Sequence, residues 1–292
     1  MNKTKIKKSR EDIAVDIFAY VFMIILALST LLPFMNVVSK ALSAEWAVVS
    51  GKVGLIPIGF QLDSLKLVVS SHEFLTSFKN SVLVTVVGTV CTLFITGMTA
   101  YPLSKRDMPG MKGILMVFVF TMFFNGGMIP TYILIRDLHM INTRSSIIIP
   151  ALINIFHMLI IKNYYESLPE SLEESAKLDG AGNFTILFKI IVPLSVPVYA
   201  SITVFTAVMQ WNNYFGPMLY INNPDLKVLP IYLRDLIAEA QDVISASNNI
   251  GNIPPEGVMS AAIIASTVPI LLVYPFLQRY FIKGMLIGSV KG

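Results

Sequence analysis

The sequence predicts an all-α integral membrane protein with six transmembrane helices and both termini in the cytoplasm. Three observations support this prediction: the low charge of the chain, six long uncharged windows and an uneven distribution of Lys and Arg. Of the 292 residues, 54% are apolar and 14% are Asp, Glu, Lys or Arg, and the mean hydropathy is +0.69. Soluble domains contain about 25% charged residues. The composition therefore excludes a soluble enzyme, a disordered chain and a coiled coil, and it predicts a multi-pass protein of the cell membrane.

Six windows without Asp, Glu, Lys or Arg approach or exceed the roughly 20 residues that an α-helix needs to cross a bilayer. They are residues 17–39, 80–104, 113–135, 145–161, 190–212 and 257–278. The fourth window is the shortest, and the fifth ends where polar residues interrupt its apolar run. The first window exceeds the 7–15 apolar residues of a signal peptide, so we expect it to remain as a helix. The predicted organisation is a cytoplasmic tail over 1–16 and one transmembrane domain over 17–292.

The positively charged residues predict the orientation of the six helices. Fourteen of the 22 Lys and Arg residues lie in one alternate set of connecting segments, residues 1–16, 105–112, 162–189 and 279–292. Cytoplasmic segments are richer in Lys and Arg, so this set is predicted to face the cytoplasm. The basic run over residues 3–10 supplies much of the difference. Nucleic-acid or specific lipid binding by that run is the alternative interpretation.

The sequence shows no motif for catalysis, metal binding or ATP binding. It has no Gly-x-x-x-x-Gly-Lys-Ser/Thr phosphate loop, its three histidines are scattered, and Cys91 is its one cysteine. The windows also lack the ionisable residues that ion-coupled carriers use near the middle of the membrane. We therefore expect a non-enzymatic chain without a cofactor or metal of its own, driven by energy from another subunit.

The segment between the fourth and fifth windows, residues 164–189, combines acidic residues with glycines. Ser167, Pro169 and Glu170 form a capping-box pattern, which predicts that a helix begins at Ser167. The glycines at 180 and 182 predict its end. Leu168, Leu172 and Ala176 would share one face, with the carboxylates largely opposite. The acidic residues are Glu166, Glu170, Glu173, Glu174 and Asp179. Such a short amphipathic helix suits a groove on a partner protein better than a lipid surface, where basic residues are preferred.

This segment resembles the EAA motif of ABC importer permeases. The stretch Glu174-Ser175-Ala176-Lys177-Leu178-Asp179-Gly180-Ala181 is followed, nine residues after Gly180, by Ile190-Ile191-Val192-Pro193. Ser175 and Val192 replace the alanine and leucine that are usual in the family. In that family the loop inserts into the ATPase subunit, so we call residues 164–189 the coupling segment. The resemblance implies ATPase contacts at Glu174, Ala176, Asp179, Gly180 and Ala181.

Six further stretches, two pairs and two single ones, are similar to the carbohydrate-uptake (maltose-type G permease) subgroup, in its polysaccharide and oligosaccharide branch. They are Asn80-Ser81 with Ala100-Tyr101-Pro102-Leu103-Ser104-Lys105-Arg106, Ile129-Pro130-Thr131-Tyr132 with Leu138-His139-Met140-Ile141-Asn142-Thr143, Gln210-Trp211-Asn212-Asn213-Tyr214-Phe215-Gly216-Pro217, and Gln278-Arg279-Tyr280-Phe281-Ile282-Lys283-Gly284. The resemblance implies the type I ABC importer permease fold. It also implies the partners: a second permease in a heterodimer, two ATPase subunits that bind ATP and Mg²⁺, an extracellular solute-binding protein and an oligosaccharide substrate.

Residues for the substrate path are predicted from polar and aromatic side chains at membrane depth. Asn125 and Asn154 lie near the middle of windows three and four, and His157 is an ionisable residue within window four. The run Trp211-Asn212-Asn213-Tyr214 is placed at the outer end of window five. Contacts between helices are the alternative role for Asn125, Asn154 and His157. An interfacial aromatic belt is the alternative for the Trp211 run.

Two other functions fit the same composition. One is an ABC permease for a solute other than a sugar, and the other is a membrane receptor or channel subunit without an ATPase. The long connecting segments 40–79 and 213–256 are predicted to dock a binding protein, with an unstructured connector as the alternative for 213–256.

Overall fold

The computed structural model describes residues 9–105, 108–124, 126–245 and 256–289, and its regular elements over those ranges are all helical. The helices are α1 Arg10–Ala41, α2 Glu45–Val49, α3 Asp63–Ser70, α4 His72–Leu103, α5 Met111–Phe123, α6 Met128–Asp137, α7 Ser145–Ile148, α8 Ile155–Glu166, α9 Ser171–Leu178, α10 Asn183–Leu194, α11 Val196–Trp211, α12 Phe215–Tyr220, α13 Leu229–Ser245 and α14 Glu256–Ser289. Short 3₁₀ turns follow at Ile149–Ala151 and Pro224–Leu226.

Three single helices are long and apolar enough to cross a membrane. They contain the stretches Glu11–Ala41, His72–Leu103 and Glu256–Val273, with mean hydropathies of 2.4, 2.0 and 1.8. These stretches overlap the first, second and sixth predicted windows. Three further candidates are pairs of helices with a break between them, so the described residues give up to six spans.

The third window, 113–135, is divided between α5 and α6. Gly127 precedes α6 with a φ of +91°, a conformation that glycine adopts without the strain a Cβ would cause. Two adjacent glycines, Gly126 and Gly127, fall within this window, and the structure shows a break in the helix there. Asn125, predicted for the substrate path, lies outside the described residues.

The fourth window is a pair formed by Ser145–Ala151 and Ile155–Glu166, bent by 48°. Pro150 lies in the last turn before the break, where it has no N–H to donate. Asn154 begins the second helix, because its Oδ1 accepts a hydrogen bond from the N–H of His157 at 3.1 Å. The polar residue near the middle of this window therefore marks the start of a new helix.

The fifth window was predicted to begin at residue 190, but the long helix α11 begins at Val196. Residues 190–194 belong instead to α10, which meets α11 at a bend of 81°. Ser195 separates the two helices, and Pro197 lies in the first turn of α11, where its missing N–H costs no intrahelical bond. α10 also contains a π-helical stretch, Leu187–Ile191, in which one extra residue is accommodated in the turn.

The chain divides into two compact units, one of residues up to 70 with 236–265 and the other of residues 71–235 with those from 266 onward. In the first unit, Ala47 and Val53 form a small core, and Asn36 Nδ2 donates to the Gly54 carbonyl at 2.8 Å. In the second unit, α4 packs chiefly against α8 and α11. Met158, Ile161 and Ile202 are fully buried in that second core.

The long segment 213–256 is structured over its described part, which rules out a plain unstructured connector there. It contains α12, the 3₁₀ turn Pro224–Leu226 and α13. The segment 40–79 likewise contains α2, α3 and the first turns of α4, which begins eight residues before its predicted window. Residues 10–16 of the predicted tail are helical, because a capping box between Ser9 and Asp12 begins α1 there.

Candidate functional site

The coupling segment contains one short helix, α9, which begins later than the sequence predicts. The capping-box prediction at Ser167 is wrong. Ser167 ends α8 instead, and its Oγ donates to the Tyr164 carbonyl at 2.7 Å. The first turn of α9 is closed by the backbone, because the N–H groups of Glu173 and Glu174 both bond to the Glu170 carbonyl. The N-cap of α9 has no side-chain hydrogen bond.

The end of α9 is the glycine stop that the sequence predicts. Gly180 has a φ of +80°, and its N–H bonds to the Lys177 carbonyl at 3.0 Å. The Ala181 N–H bonds to the Ala176 carbonyl at 2.9 Å. These two bonds form a Schellman motif, which reverses the chain and satisfies carbonyls that the helix end would leave free. The glycines thus fix a sharp turn between α9 and α10.

The residues predicted to contact an ATPase are only partly on the surface of this chain. Glu174, Asp179 and Gly180 are exposed, and Ala181 is half-buried. Ala176 is buried against the core formed by α4, α8 and α10. The apolar face is also incomplete, since Leu172 is 38% exposed and Leu178 is 90% exposed. Leu178 therefore places an uncovered apolar side chain at the tip of α9, beside Gly180.

Glu173 is the carboxylate whose position the sequence did not predict. The helical spacing predicts it on the solvent side with the other acidic residues, but its side chain is only 14% exposed. Its Oε1 accepts from Lys105 Nζ, and its Oε2 accepts from the Tyr101 hydroxyl at 3.4 Å. Lys105 Nζ also lies 4.4 Å from the centroid of the Tyr101 ring. A cavity of about 580 Å³ lies beside this contact, lined by the end of α4 and by α9.

In the substrate-path set, Asn154 and His157 lie together at the start of α8. The ring of His157 is buried, with Nδ1 3.5 Å from Thr206 Oγ1 and the ring stacked on Phe205 at a centroid distance of 6.0 Å. Both partners belong to α11, so His157 makes a contact between helices. This geometry favours the helix-contact alternative for His157 over a residue that faces an open path.

The run Trp211 to Tyr214 lies at the end of α11, where its polar groups are used locally. Trp211 packs edge-on against Phe78 at 6.2 Å. Asn212 Nδ2 donates to the Val208 carbonyl of its own helix, and Asn213 Oδ1 accepts from the Gly216 N–H. Tyr214 is 37% exposed. The structure does not join this run to Asn154 or His157 by any described hydrogen bond.

A second polar cluster lies at the start of α4 and was not identified as functional from the sequence. Asn80 is 3% exposed and bonds to Arg144 as well as to the carbonyls of Asp225 and Lys227. The neighbouring Ser81 Oγ accepts from the Leu229 N–H at 2.8 Å. The signal in the sequence was an amide at the edge of an apolar window. Its partners are more than 60 residues away, so no local pattern predicted them.

Asp235, on the nearby helix α13, forms ion pairs with two basic residues. It accepts from Lys227 Nζ at 2.7 Å and from Arg234 Nη1 at 3.0 Å. Burial favours the neutral carboxyl, but the hydrogen bonds and charges of Lys227 and Arg234 outweigh it and hold the pKa of Asp235 below its usual value. Across the described ranges, no group of three or more His, Cys, Asp or Glu side chains is arranged to hold a metal ion.

Comparisons with known proteins agree with this geometry. The model of the family described as "Binding-protein-dependent transport system inner membrane component" matches residues 12–287. The chain is 40% identical over 280 residues to the polygalacturonan/rhamnogalacturonan transport system permease protein YtcP of Bacillus subtilis, covering 95% of this chain and 98% of YtcP. It is 42% identical over 265 residues to protein LplC of the same organism, covering 90% of each chain.

A solved structure shares the fold. A chain of a bacterial ABC transporter involved in the import of the acidic polysaccharide alginate superposes with a TM-score of 0.85 and 34% identity, covering 95% of this chain and all of that one. The all-helical architecture, the membrane location and the likeness to ABC importer permeases are therefore as the sequence predicts. The chain belongs to the family of binding-protein-dependent transport system inner membrane components, the permease subunits of ABC importers.

Proposed function

We propose that this chain forms half of the translocation path of an importer for oligosaccharides, and that it is coupled to a separate ATPase through residues 164–189. The observation that carries the coupling assignment is α9 with its glycine-terminated end. This short helix carries the exposed Glu174 and the almost fully exposed Leu178. The Schellman motif at Gly180 fixes the turn that follows it. Leu178 has Glu174 one turn before it, Asp179 directly after it and the exposed Lys177 directly before it, so it suits a partner groove that is apolar at its base and charged at its rim.

The proposed partners follow from the family and from the resemblance of the EAA motif. They are a second permease in a heterodimer, two copies of a cytoplasmic ATPase and an extracellular solute-binding protein. ATP and Mg²⁺ would bind to the ATPase, so this chain would hydrolyse nothing itself. With the termini and α9 in the cytoplasm, as the Lys and Arg distribution predicts, the segments 40–79 and 213–256 face the binding protein.

The proposed substrate class rests on similarity. YtcP is named for polygalacturonan and rhamnogalacturonan, and the structural match is described as importing alginate. Both names refer to polysaccharides with acidic sugars, so we propose oligosaccharides released from such polymers as the substrates. Trp211, Asn212, Asn213 and Tyr214 remain our proposed wall of the path, with Asn125 and Asn154 as further candidates and His157 in a supporting contact.

Co-purification tests the coupling assignment. The variants are Glu174→Arg and Gly180→Leu, expressed with the second permease and the ATPase. We expect both to lower the amount of ATPase that co-purifies and to lower ATP-driven uptake. Glu45→Arg is the matched control for ATPase recovery, because it reverses an exposed acidic charge on α2, which is far from α9 in sequence and lies in a segment proposed to face the binding protein. If ATPase recovery and uptake are unchanged in both α9 variants, the coupling assignment is wrong.

An uptake panel tests the substrate class. Membrane vesicles with the full transporter and its binding protein would be offered labelled oligogalacturonides, alginate oligomers, neutral arabino-oligosaccharides and an amino acid. We expect ATP-dependent uptake of one or more oligosaccharides and none of the amino acid. ATP-dependent uptake confined to the amino acid would favour a permease for a non-sugar solute, and uptake without ATP would favour a channel.

A further inference from the structure

Short non-helical connections join α9, the helix of the coupling segment, to the helices before and after it. Only residues 167–170 join it to α8, and only residues 179–182 join it to α10. The first connection contains Pro169 and the second contains two glycines, so neither is a continuous helix. Because no continuous helix joins α9 to its neighbours, movement imposed on α9 by a partner passes directly into a membrane helix only where side chains attach α9 to it.

Glu173 supplies such an attachment. Its two carboxylate oxygens are held separately, one by Lys105 and the other by the Tyr101 hydroxyl. Tyr101 lies in the last turn of α4, and Lys105 follows the end of that helix by two residues. The side chains of Lys105 and Glu173 are 26% and 14% exposed. An ion pair so shielded from water is stronger than one on an open surface, and separating its members leaves a poorly solvated charge.

The neighbouring carboxylates of α9 face different surroundings. Glu174 is exposed, whereas Glu173, one residue earlier and about 100° around the helix, faces the end of α4. One carboxylate is thus available to a partner while the other is already bonded within the chain. This division separates a docking role from an attachment role on a single helical turn.

The attachment continues into the membrane helices through three tyrosines. The ring of Tyr101 packs edge-on against Tyr165 of α8 at 6.3 Å. The hydroxyls of Tyr165 and Tyr199, which lies on α11, are 2.6 Å apart. Gly97 on α4 permits this approach, because a Cβ there would lie 1.9 Å from the Tyr199 hydroxyl oxygen. Side chains of α4, α8 and α11 therefore meet at one level close to α9.

We propose that Glu173 is a positioning residue that locks the coupling helix onto α4 through Lys105 and Tyr101, so that movement of α9 is transmitted to α4, α8 and α11 as one body. The proposal rests on the proposed function, since it requires that an ATPase acts on α9. It goes beyond that function by separating the residue that receives the movement, Glu174, from the residues that pass it on. The tyrosine contacts keep the three membrane helices together when α4 is displaced.

The test measures coupling separately from assembly. The complete transporter would be reconstituted in liposomes with its ATPase and binding protein, and substrate transported per ATP hydrolysed would be measured. The variants are Lys105→Met, Glu173→Gln, Tyr101→Phe and the charge exchange Lys105→Glu with Glu173→Lys. Lys112→Met is the matched control, because it removes an exposed positive charge from α5, outside the coupling segment.

We expect Lys105→Met and Glu173→Gln to retain normal ATPase recovery and ATP hydrolysis, while transport per ATP falls at least about threefold. Tyr101→Phe should give a smaller loss, Lys112→Met none, and the charge exchange should restore at least half of the loss. The proposal is overturned if transport per ATP is unchanged in both single variants or if the exchange restores nothing. Loss of ATPase binding in Glu173→Gln would also overturn it, because Glu173 would then belong to the docking surface. Failure of the proposed function is a separate result, namely normal ATPase recovery with Glu174→Arg and Gly180→Leu.

Discussion

Arg144 donates two hydrogen bonds to the side-chain oxygen of Asn80, from Nε at 3.2 Å and from Nη2 at 2.9 Å. The amide nitrogen of the same Asn80 donates to the carbonyls of Asp225 and Lys227, at 2.8 and 3.0 Å. One buried side chain therefore joins the start of α4 to two segments that are distant in the sequence. All the polar atoms of the Asn80 side chain are used within the chain, which makes it a structural centre of this region.

Replacement of Asn80 should lower the free energy of unfolding, because it removes hydrogen-bond partners from buried groups. We expect Asn80→Ala to destabilise the protein by about 1–3 kcal/mol, since the Asp225 and Lys227 carbonyls and the Arg144 guanidinium lose hydrogen bonds. Asn212→Ala is the control, because Asn212 is exposed and bonds within its own helix, and we expect a change within about 0.5 kcal/mol. Thermal unfolding of the purified protein in detergent measures both variants. Equal shifts in Tm would contradict the central role of Asn80.

Gly97 should tolerate no larger residue while Tyr199 keeps its hydroxyl. Gly97→Ala places a Cβ 1.9 Å from that oxygen and 3.0 Å from the ring carbon that bears it, so Tyr199 must move. We expect a loss of about 1–3 kcal/mol in the free energy of unfolding. The loss should be smaller when Gly97→Ala is measured against a Tyr199→Phe background.

Gly113→Ala is the control for that prediction, because its Cβ would meet nothing within 4 Å. We expect that variant to be neutral or slightly stabilising, since alanine suits a helix better than glycine. Equal costs at Gly97 and Gly113, measured by thermal unfolding, would show that the close approach of Tyr199 is unimportant.

Gly180 should be required for its backbone conformation. A Cβ there would meet nothing within 4 Å, but the φ of +80° strains most L-residues. We expect Gly180→Ala to cost about 1 kcal/mol, and Gly180→Asn to cost less, because asparagine adopts this conformation more readily. The free energy of unfolding and the rate of proteolysis at residues 179–182 would both report the difference. A larger loss for the asparagine variant would indicate that a side-chain clash sets the cost.

Asp235 should contribute stability that depends on pH. Its pKa is lowered in the folded protein, so its contribution is present above its usual value near 3.8 and is lost as the pH falls through the lower folded pKa. Asp235→Asn should remove this contribution, so the variant should lose less stability than the unmodified protein between about pH 5 and pH 2. Lys227→Met should have a similar but smaller effect. Tm measured across that range tests the prediction, and parallel curves for all three proteins would contradict it.

Asn154 offers a test between a helix cap and a substrate contact. Its side chain accepts from the His157 N–H, so Asn154→Ala should cost about 1 kcal/mol, whereas serine retains a capping oxygen. We expect Asn154→Ser to keep near-normal stability. If Asn154 serves only as a cap, uptake will also be normal; if uptake falls while Tm is unchanged, Asn154 contacts the substrate.

The coupling segment shows how far local pattern alone could lead. The glycine stop of α9 was predictable, because a positive φ at a helix end follows from the residue type. The start of α9 was not, because the capping box at Ser167 competed with the last turn of α8, and Ser167 bonded to that turn instead. The inward direction of Glu173 also escaped prediction, since its partners Lys105 and Tyr101 lie about 70 residues earlier in the chain.

The class of this protein, the approximate positions of its apolar segments and the family motif in the coupling segment could all be read from the amino-acid sequence. Those properties depend on composition and on short-range spacing, which the chain carries without folding. The folded structure was needed to show where the third, fourth and fifth windows break, which carboxylate of α9 faces α4, and that Asn80 joins three segments. The buried polar contacts of Asn80 and Glu173 form because distant partners compensate for their desolvation, and those partners become available only when the helices pack. At two of the breaks, carbonyls also accept hydrogen bonds from distant side chains, Ala151 from Thr92 at 3.4 Å and Leu194 from Tyr164 at 3.3 Å.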